Sequence, residues 1–370
     1  MFELTISKAQ LLTPLLTVAG AVDKKQVLPI LSHLLLKRMD DHLLLTATDL
    51  DIEMTARVPF EHCAGEGGAA ITVPAKKFID IIRSLEDNAV PRIRFDAGIV
   101  SIKEGRSQFK LATLPAEDYP NNEEEANEFE LTVAKDAFVH LLQSTHFAMG
   151  QQDVRVFLNG LFLEIDAQFI TAVAMDGHRM AICRLPCQLG DQHQRLLLPR
   201  KGVQEILRLL NQVTDETVSL SFSKQHFKLI SQQYTFYSKL IEARFPAYSR
   251  AIPRVLNKQV TISRDLLKRA LSRIIILANE KSRAVLMEIQ PGQLTLIANN
   301  QEQEEAIESL AAETEGDALK IGVNAAYVLD FLQHVEDGPL RLSMSDTDSS
   351  ILLESLADAH YSYVLMPMTI

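Results

Sequence analysis

The sequence predicts an α+β fold built from three copies of one domain, each with two helices laid on antiparallel sheets. Three observations predict it. A strand leading into a helix opens three separate segments, a second strand-to-helix passage recurs later in each at a spacing of 125 residues, and alternating apolar and polar runs fill the space between.

The opening pattern reads Phe2-Glu-Leu-Thr-Ile-Ser-Lys-Ala-Gln-Leu-Leu, then Phe129-Glu-Leu-Thr-Val-Ala-Lys-Asp-Ala-Phe-Val, then Gln259-Val-Thr-Ile-Ser-Arg-Asp-Leu-Leu. Period-two alternation gives way to helical spacing in all three, and Ser7 with Gln10 has the spacing of a capping box. The second passage reads Thr72-Val-Pro-Ala-Lys-Lys-Phe, Leu197-Leu-Pro-Arg-Lys-Gly-Val and Gly322-Val-Asn-Ala-Ala-Tyr-Val. Apolar residues at i, i+3, i+4 and i+7 predict its core face: Phe78, Ile81, Ile82 and Leu85; Val203, Ile206, Leu207 and Leu210; Val328, Phe331, Leu332 and Val335.

Strands are predicted at Leu43-Leu-Leu-Thr-Ala-Thr, Phe169-Ile-Thr-Ala-Val-Ala and Leu294-Thr-Leu-Ile-Ala-Asn. A second set is predicted at Ile93-Arg-Phe, Val218-Ser-Leu-Ser-Phe and Leu340-Arg-Leu-Ser-Met. The acidic stretch Asn121–Glu128 and the segment Pro253–Lys258 punctuate the repeats, which places the domains at residues 1–122, 129–252 and 258–370. The C-terminal Tyr363-Val-Leu-Met-Pro-Met reads, taken alone, as an edge strand packed on its own domain.

Composition narrows the function. A hydrophobic fraction of 47% with 23% charged residues suits a globular chain, and no apolar run approaches the roughly 20 residues of a membrane span. The N-terminus alternates like a strand rather than reading as a secretory signal, and Cys63, Cys183 and Cys187 are an odd set without a metal-knuckle spacing; a cytoplasmic protein with no metal or cofactor is expected. A net charge of −11 argues against gripping nucleic acid over the whole surface. Basic residues nevertheless gather on helices: Lys76, Lys77 and Arg83; Arg200, Lys201 and Arg208; Arg264, Lys268, Arg269 and Arg273. Taken singly each helix also suits an ordinary solvated face, and the third copy's second helix has Ala326 and Gln333 at the positions of Lys76 and Arg83. As a lining, these residues would touch phosphates without reading bases, a weak and salt-sensitive contact whose persistence requires topological closure.

The motifs Leu28-Pro-Ile-Leu, Thr48-Asp-Leu, Thr72-Val-Pro-Ala-Lys-Lys-Phe, Gln152-Asp-Val-Arg, Leu158-Asn-Gly, Asp176-Gly-His-Arg, Pro199-Arg-Lys-Gly-Val, Asn279-Glu-Lys, Ala298-Asn-Asn and Met366-Pro-Met span the chain. With them it resembles the bacterial DNA polymerase III beta subunit family, the replication sliding clamps. The resemblance implies three DNA-clamp domains per chain and a head-to-tail homodimer closed into a ring around double-stranded DNA, touched without sequence preference. It also implies a cleft that takes peptides from the replicative polymerase alpha subunit, the clamp-loader complex, other polymerases and repair proteins. Positions matching that cleft are Arg155, Leu158, Gly177, His178, Arg179, Met180, Pro246, Arg250, Tyr327, Ser350, Met366, Pro367 and Met368. Lys25 and Gln152 match positions that touch the duplex, with Lys24, Arg200 and Lys201 as neighbouring candidates. The dimer contact maps to Lys77, Arg106 and Phe109 on one edge, and to Ile276, Leu277, Glu302, Glu304, Glu305 and Glu308 on the other. Opposite charges on the two edges suit a heterologous contact.

Two rival classes compete with this reading. An enzyme would use Asp176-Gly-His-Arg as a catalytic string, but no His recurs at the matching Thr48-Asp-Leu or Asn299-Asn300, and the chain lacks a phosphate-cradling glycine loop and a nucleophile elbow. A repeat scaffold that binds only proteins and encircles nothing is the alternative reading.

Overall fold

The computed structural model describes residues 2–22, 28–60, 62–65, 68–96, 98–120, 129–189 and 193–369. The acidic stretch 121–128 read as a linker, and the DNA-contact candidates Lys24 and Lys25, lie outside the described residues. Six α-helices form among the described residues, all at the expected places: α1 (Lys8–Val18), α2 (Ala75–Ser84), α3 (Lys135–Gln143), α4 (Arg200–Leu210), α5 (Arg264–Ile274) and α6 (Ala325–Gln333). None is long and apolar enough to cross a membrane.

Local chemistry starts these helices. Ser7 accepts the Gln10 N–H at 3.3 Å, the N-cap half of the expected capping box. Its hydroxyl donates to the Gln10 side-chain oxygen at 2.8 Å, in place of the bond to the Ser7 backbone N–H that would complete the box. Ser263 caps α5 and Asn324 caps α6 in the same way. A cation then opens the first helix of every repeat. The backbone N–H groups of Lys8, Lys135 and Arg264 each donate at 2.9 Å, to the carbonyls of Ala89, Glu216 and Gly338. Their side chains donate to carbonyls at the C-terminal end of the repeat's second helix: Lys8 to Leu85 at 2.6 Å, Lys135 to Val213 at 3.1 Å, Arg264 to Leu332 at 2.8 Å. Positive charge belongs where orphan carbonyls and the helix dipole concentrate negative potential.

The structure departs from the sequence pattern in two places. Arg264 is committed to this cap and Arg273 grips Glu308, so the basic face expected on α5 is largely spent inside the chain. On α2, Ile81 and Leu85 are half-buried while Ala75, Phe78, Ile79 and Ile82 are buried, so the i, i+3, i+4, i+7 stripe begins three residues earlier than read. Leu207 is likewise half-buried beside buried Ile206, Leu209 and Leu210.

The chain divides into two compact units, residues 1–136 with 204–240, and residues 137–203 with 241–370. The first unit holds a five-stranded sheet, in the order His62–Gly65, Phe2–Thr5, Arg92–Asp96, Ile99–Glu104, Ser107–Ala112. It also holds an eight-stranded sheet, Phe129–Ala134, Thr217–Phe222, His226–Ile230, Tyr234–Lys239, Ile52–Pro59, His42–Thr48, His33–Arg38, Ala70–Pro74. The second unit holds a nine-stranded sheet, Gln194–Pro199, Gly160–Ile165, Phe169–Met175, Arg179–Pro186, Tyr361–Leu365, Ile351–Ser355, Pro339–Met344, Lys258–Ser263, Glu313–Glu315. Its four-stranded sheet runs Glu305–Ala311, Gln293–Asn299, Ala284–Gln290, Leu319–Asn324. Both large sheets join strands of successive repeats. The C-terminal strand Tyr361–Leu365 is therefore interior, flanked on both sides, and not the edge strand that its sequence suggests.

Register makes the repeat explicit. Apolar rows cross the sheets at matching positions: Leu4, Ile93, Ile102 and Phe109 in the first repeat; Leu131, Leu220, Leu229 and Phe236 in the second; Val260, Leu342, Leu353 and Tyr363 in the third. At the first seam Phe236 continues onto Met54, and at the second Tyr363 continues onto Ala181. Met54 pairs in turn with Ala47, Ala181 with Ala174, and, at the same place in the third repeat, Ala306 with Ala298. Phe109 and Ala306 thus end their rows on outermost strands.

Candidate binding cleft

The second seam, where Arg179–Pro186 meets Tyr361–Leu365, gathers most of the cleft residues expected from the sequence. The turn before it is shaped by Asp176, whose carboxylate accepts the N–H groups of His178 at 2.9 Å and Arg179 at 3.0 Å. Gly177 sits at φ +92°, the left-handed conformation that glycine adopts without strain, and a Cβ there would lie 2.9 Å from the Arg155 guanidinium. The turn leaves Gly177 and His178 exposed.

Arg179 points the other way. Its side chain is only 10% exposed. Nε donates to Asp176 at 3.0 Å, Nη1 to Asp330 of α6 at 2.5 Å and Nη2 to the Phe147 carbonyl at 3.1 Å, while the Tyr327 ring lies 4.3 Å from the guanidinium carbon. Burial opposes its charge, but Tyr363, Asp330 and Asp176 outweigh that and hold its pKa above the ordinary arginine value. Arg179 is therefore a brace between the second and third repeats, with all three guanidinium nitrogens engaged inside the chain. Tyr327 reinforces the brace, since its carbonyl accepts the Tyr363 hydroxyl at 3.0 Å and its ring lies 6.4 Å from that of His178.

The C-terminal tail is sewn onto the same turn. Met366 N–H donates to the His178 carbonyl at 2.9 Å, Met368 N–H donates to Gly322 at 2.8 Å, and the Ser350 hydroxyl lies 3.2 Å from the Met366 sulfur. Met366 remains 44% exposed, and Pro367 and Met368 are half-buried. Val364, two residues before Met366, belongs to an apolar floor, and a flexible thioether following it can mould to varied bulky groups.

That floor is a cluster of Phe162, Val173, Met180, Ile182, Leu197, Leu352 and Val364, with Phe157, Met175, Phe245 and Tyr248 partly buried against it. Of these the sequence reading singled out only Met180 as a cleft residue. The signal it passed over is period-two alternation: Phe162 and Glu164, or Met180 and Ile182, share a sheet face by spacing alone. Pro246 and Arg250 are exposed on the segment that carries Phe245 and Tyr248. Arg155 is exposed but engaged by Asp153, through Nε at 3.1 Å and Nη2 at 3.0 Å, and this pairing holds the Asp153 carboxyl down at about 2. Leu158 is buried in a short turn, its carbonyl accepting from Gly150, and contributes packing rather than an open wall.

The remaining candidates are described each in its own surroundings. Gln152 is exposed with φ +54°, and Lys201 is exposed in the first turn of α4, whereas Arg200 is turned back onto the Met149 carbonyl at 2.8 Å. Lys77 and Arg106 are exposed and Phe109 is half-buried at its sheet edge. Ile276 is 74% exposed just beyond α5, with Leu277 half-buried after it. Glu302, Glu304 and Glu305 are exposed along the other edge, where Glu304 accepts from Asn300, and half-buried Glu308 pairs with Arg273.

Three α+β copies joined sheet to sheet, with an apolar surface beside the second seam, define a modular binding protein of the clamp class. Family models of the N-terminal, central and C-terminal domains of the DNA polymerase III beta subunit match residues 2–123, 132–247 and 249–369. The beta sliding clamp of Pseudomonas putida is 42% identical over 366 residues, covering 98% of this chain and 99% of that protein. That of Escherichia coli is 38% identical over 366 residues, covering 99% of each. Among solved structures, a Pseudomonas aeruginosa sliding clamp bound to griselimycin superposes with a TM-score of 0.96 at 40% identity, and the Caulobacter crescentus beta subunit with 0.93 at 33%, each covering 100% of both chains. The chain belongs to the DNA polymerase III beta subunit family and is a DNA sliding clamp.

Proposed function

We propose that two copies of the chain close head to tail into a ring around duplex DNA, hold it without reading its sequence, and carry out no reaction of their own. In the same reading the cleft at the second seam takes short peptides from the replicative polymerase alpha subunit, the clamp-loader complex, and other polymerases and repair proteins. Each peptide partner would thereby be tethered to a template that the ring does not leave.

The observation that carries this reading is the pair of unfinished rows. Phe236 meets Met54 and Tyr363 meets Ala181, yet their counterparts Phe109 and Ala306 end on outer strands. Setting Phe109 of one copy opposite Ala306 of the other completes the third seam in the register of the first two. Glu305 then faces Lys110, Ile307 faces Gln108 and Ser309 faces Arg106. Phe109 is left on the helix-covered side, where it would cover Ile276 and Leu277. Lys77 and Arg106 would bring positive charge toward the acidic edge of Glu302, Glu304 and Glu305, a steering that salt weakens. For the duplex, Gln152 and Lys201 are the exposed described candidates, with Lys24 and Lys25 completing the set.

The test is a register-specific cross-link. A chain carrying Gln108→Cys and Ile307→Cys should oxidise to a covalent dimer, because antiparallel partners lie within disulfide reach. A pairing of Gln108→Cys with Ala311→Cys, four residues out of register, should not. The cross-linked ring, formed after loading, should stay on nicked circular DNA in high salt and slide from linear DNA. Equal loss from both would leave the protein-binding scaffold that encircles nothing.

A further inference from the structure

The segment that carries Pro246 and Arg250 is held at two anchors, an aromatic stack on the floor and a hydrogen bond beyond it. After strand Tyr234–Lys239, Ile241 N–H donates to the Leu197 carbonyl at 2.9 Å. Phe245 then stacks face to face on Phe162, centroids 4.4 Å apart and planes parallel, and meets Phe157 edge-on at 6.2 Å. Three residues on, the Tyr248 hydroxyl donates to Glu164 Oε2 at 2.9 Å. The other oxygen of Glu164 accepts from Arg195, at 2.8 Å from Nε and 2.7 Å from Nη2.

The geometry follows from the sheet. Phe162 and Glu164 are two apart on one strand and present the same face, and their cross-strand partners are Leu197 and Arg195. One strand thus offers a ring and, one pleat further on, a carboxylate; the segment answers with a ring and a phenol at matching distance. Pro246 lies between the two anchors, and Tyr248 and Arg250 share a single 3-10 turn. A carboxylate fixed by a guanidinium accepts more strongly than a neutral group and has no freedom to follow a moving loop.

We propose that Tyr248 and Glu164 are positioning residues of the peptide cleft: the phenol-to-carboxylate bond fixes the 245–250 segment so that Pro246 and Arg250 stand beside the floor of Met180, Leu352 and Val364. This rests on the reading of the second seam as the peptide site. Neither residue need touch the peptide. The bond lowers the number of arrangements the segment must give up on binding, which is affinity gained by preorganisation.

The probe is a fluorescein-labelled peptide copied from the C-terminal tail of the cognate polymerase alpha subunit, titrated with the full-length dimer and followed by anisotropy. Tyr248→Phe should weaken binding about five- to ten-fold, the loss of one charge-assisted hydrogen bond, with dimer mass and far-ultraviolet circular dichroism unchanged. Glu164→Gln, whose amide oxygen can still accept from the phenol, should retain most of the affinity. In an Arg250→Ala, Pro246→Ala background, Tyr248→Phe should cost less than about two-fold, because the bond acts through those residues. Wild-type affinity in Tyr248→Phe would overturn the proposal, as would an undiminished penalty in the double-alanine background. Should Tyr248→Phe lose its fold, the Glu164→Gln and Glu164→Ala pair carries the same comparison, and equal affinities for those two would also overturn it. Undiminished peptide binding after deletion of Met366–Ile370 is a separate result, and it would remove the cleft reading itself.

Discussion

At the first seam the strand that follows the Asp49 turn begins with Ile52; at the second, the same position is Arg179. The two turns are built alike. Asp49 accepts the N–H groups of Asp51 and Ile52 as Asp176 accepts those of His178 and Arg179, and Leu50 at φ +78° stands where Gly177 stands at +92°. On the helix side the copies diverge again. Gly20 leaves room for Arg208, which donates to the Thr17 carbonyl at 2.6 Å, where the second repeat places Phe147 stacked on His334. One backbone template thus carries an apolar seam in one place and, in the other, an arginine brace beside an exposed histidine and a methionine tail. The same hydrogen-bonded frame therefore accepts very different side chains at the two seams.

The two seams should differ most in stability at the arginine brace. Arg179→Met should destabilise the chain by about 3 kcal/mol, since it removes a charged partner from Asp176 and Asp330 and the donor to the part-buried Phe147 carbonyl, and urea denaturation should report it as a lower midpoint. Ile52→Val at the first seam, which removes one buried methyl, should cost only about 1 kcal/mol. Equal costs at the two seams would mean that the arginine network is incidental.

The turns themselves should respond with opposite signs. Leu50→Gly relieves a left-handed non-glycine residue and should stabilise by about 0.5 kcal/mol, whereas Gly177→Ala should destabilise by about 1 kcal/mol and displace Arg155. A pair of changes with the same sign would show that the turns differ in more than sequence.

The smallest effect concerns pH. Burial, helped by neighbouring His334, pulls the His146 pKa below its ordinary 6.5. The unfolded chain therefore binds the proton first, so stability present above pH 6.5 falls as the pH drops below it and levels off once the folded imidazole also protonates. His146→Gln should flatten that part of the stability profile measured between about pH 7 and 5; an unchanged slope would place the titration elsewhere.

Much of this was legible in the residues. The three strand-to-helix openings, the N-cap at Ser7 and the second helices all stand where the sequence puts them, because each depends on neighbours a few positions apart. The cleft was legible only in outline. His178, Met366 and Tyr327 do meet, but that Arg179 turns inward depends on Asp330, far along the chain, and no local pattern encodes that encounter. The floor residues Phe162, Leu352 and Val364 look like any buried strand positions until the sheet brings them together.

The threefold repeat, the helix starts and the charge of the two outer edges are written in short-range spacing and composition. Tertiary structure alone decided which strand lies beside which. It placed Tyr361–Leu365 in the interior of a nine-stranded sheet, spent Arg264 and Arg273 inside the chain, and left the rows of Phe109 and Ala306 open. Strand pairing joins groups distant in sequence, and its choice rests on register and burial summed over a whole sheet, which no single segment carries.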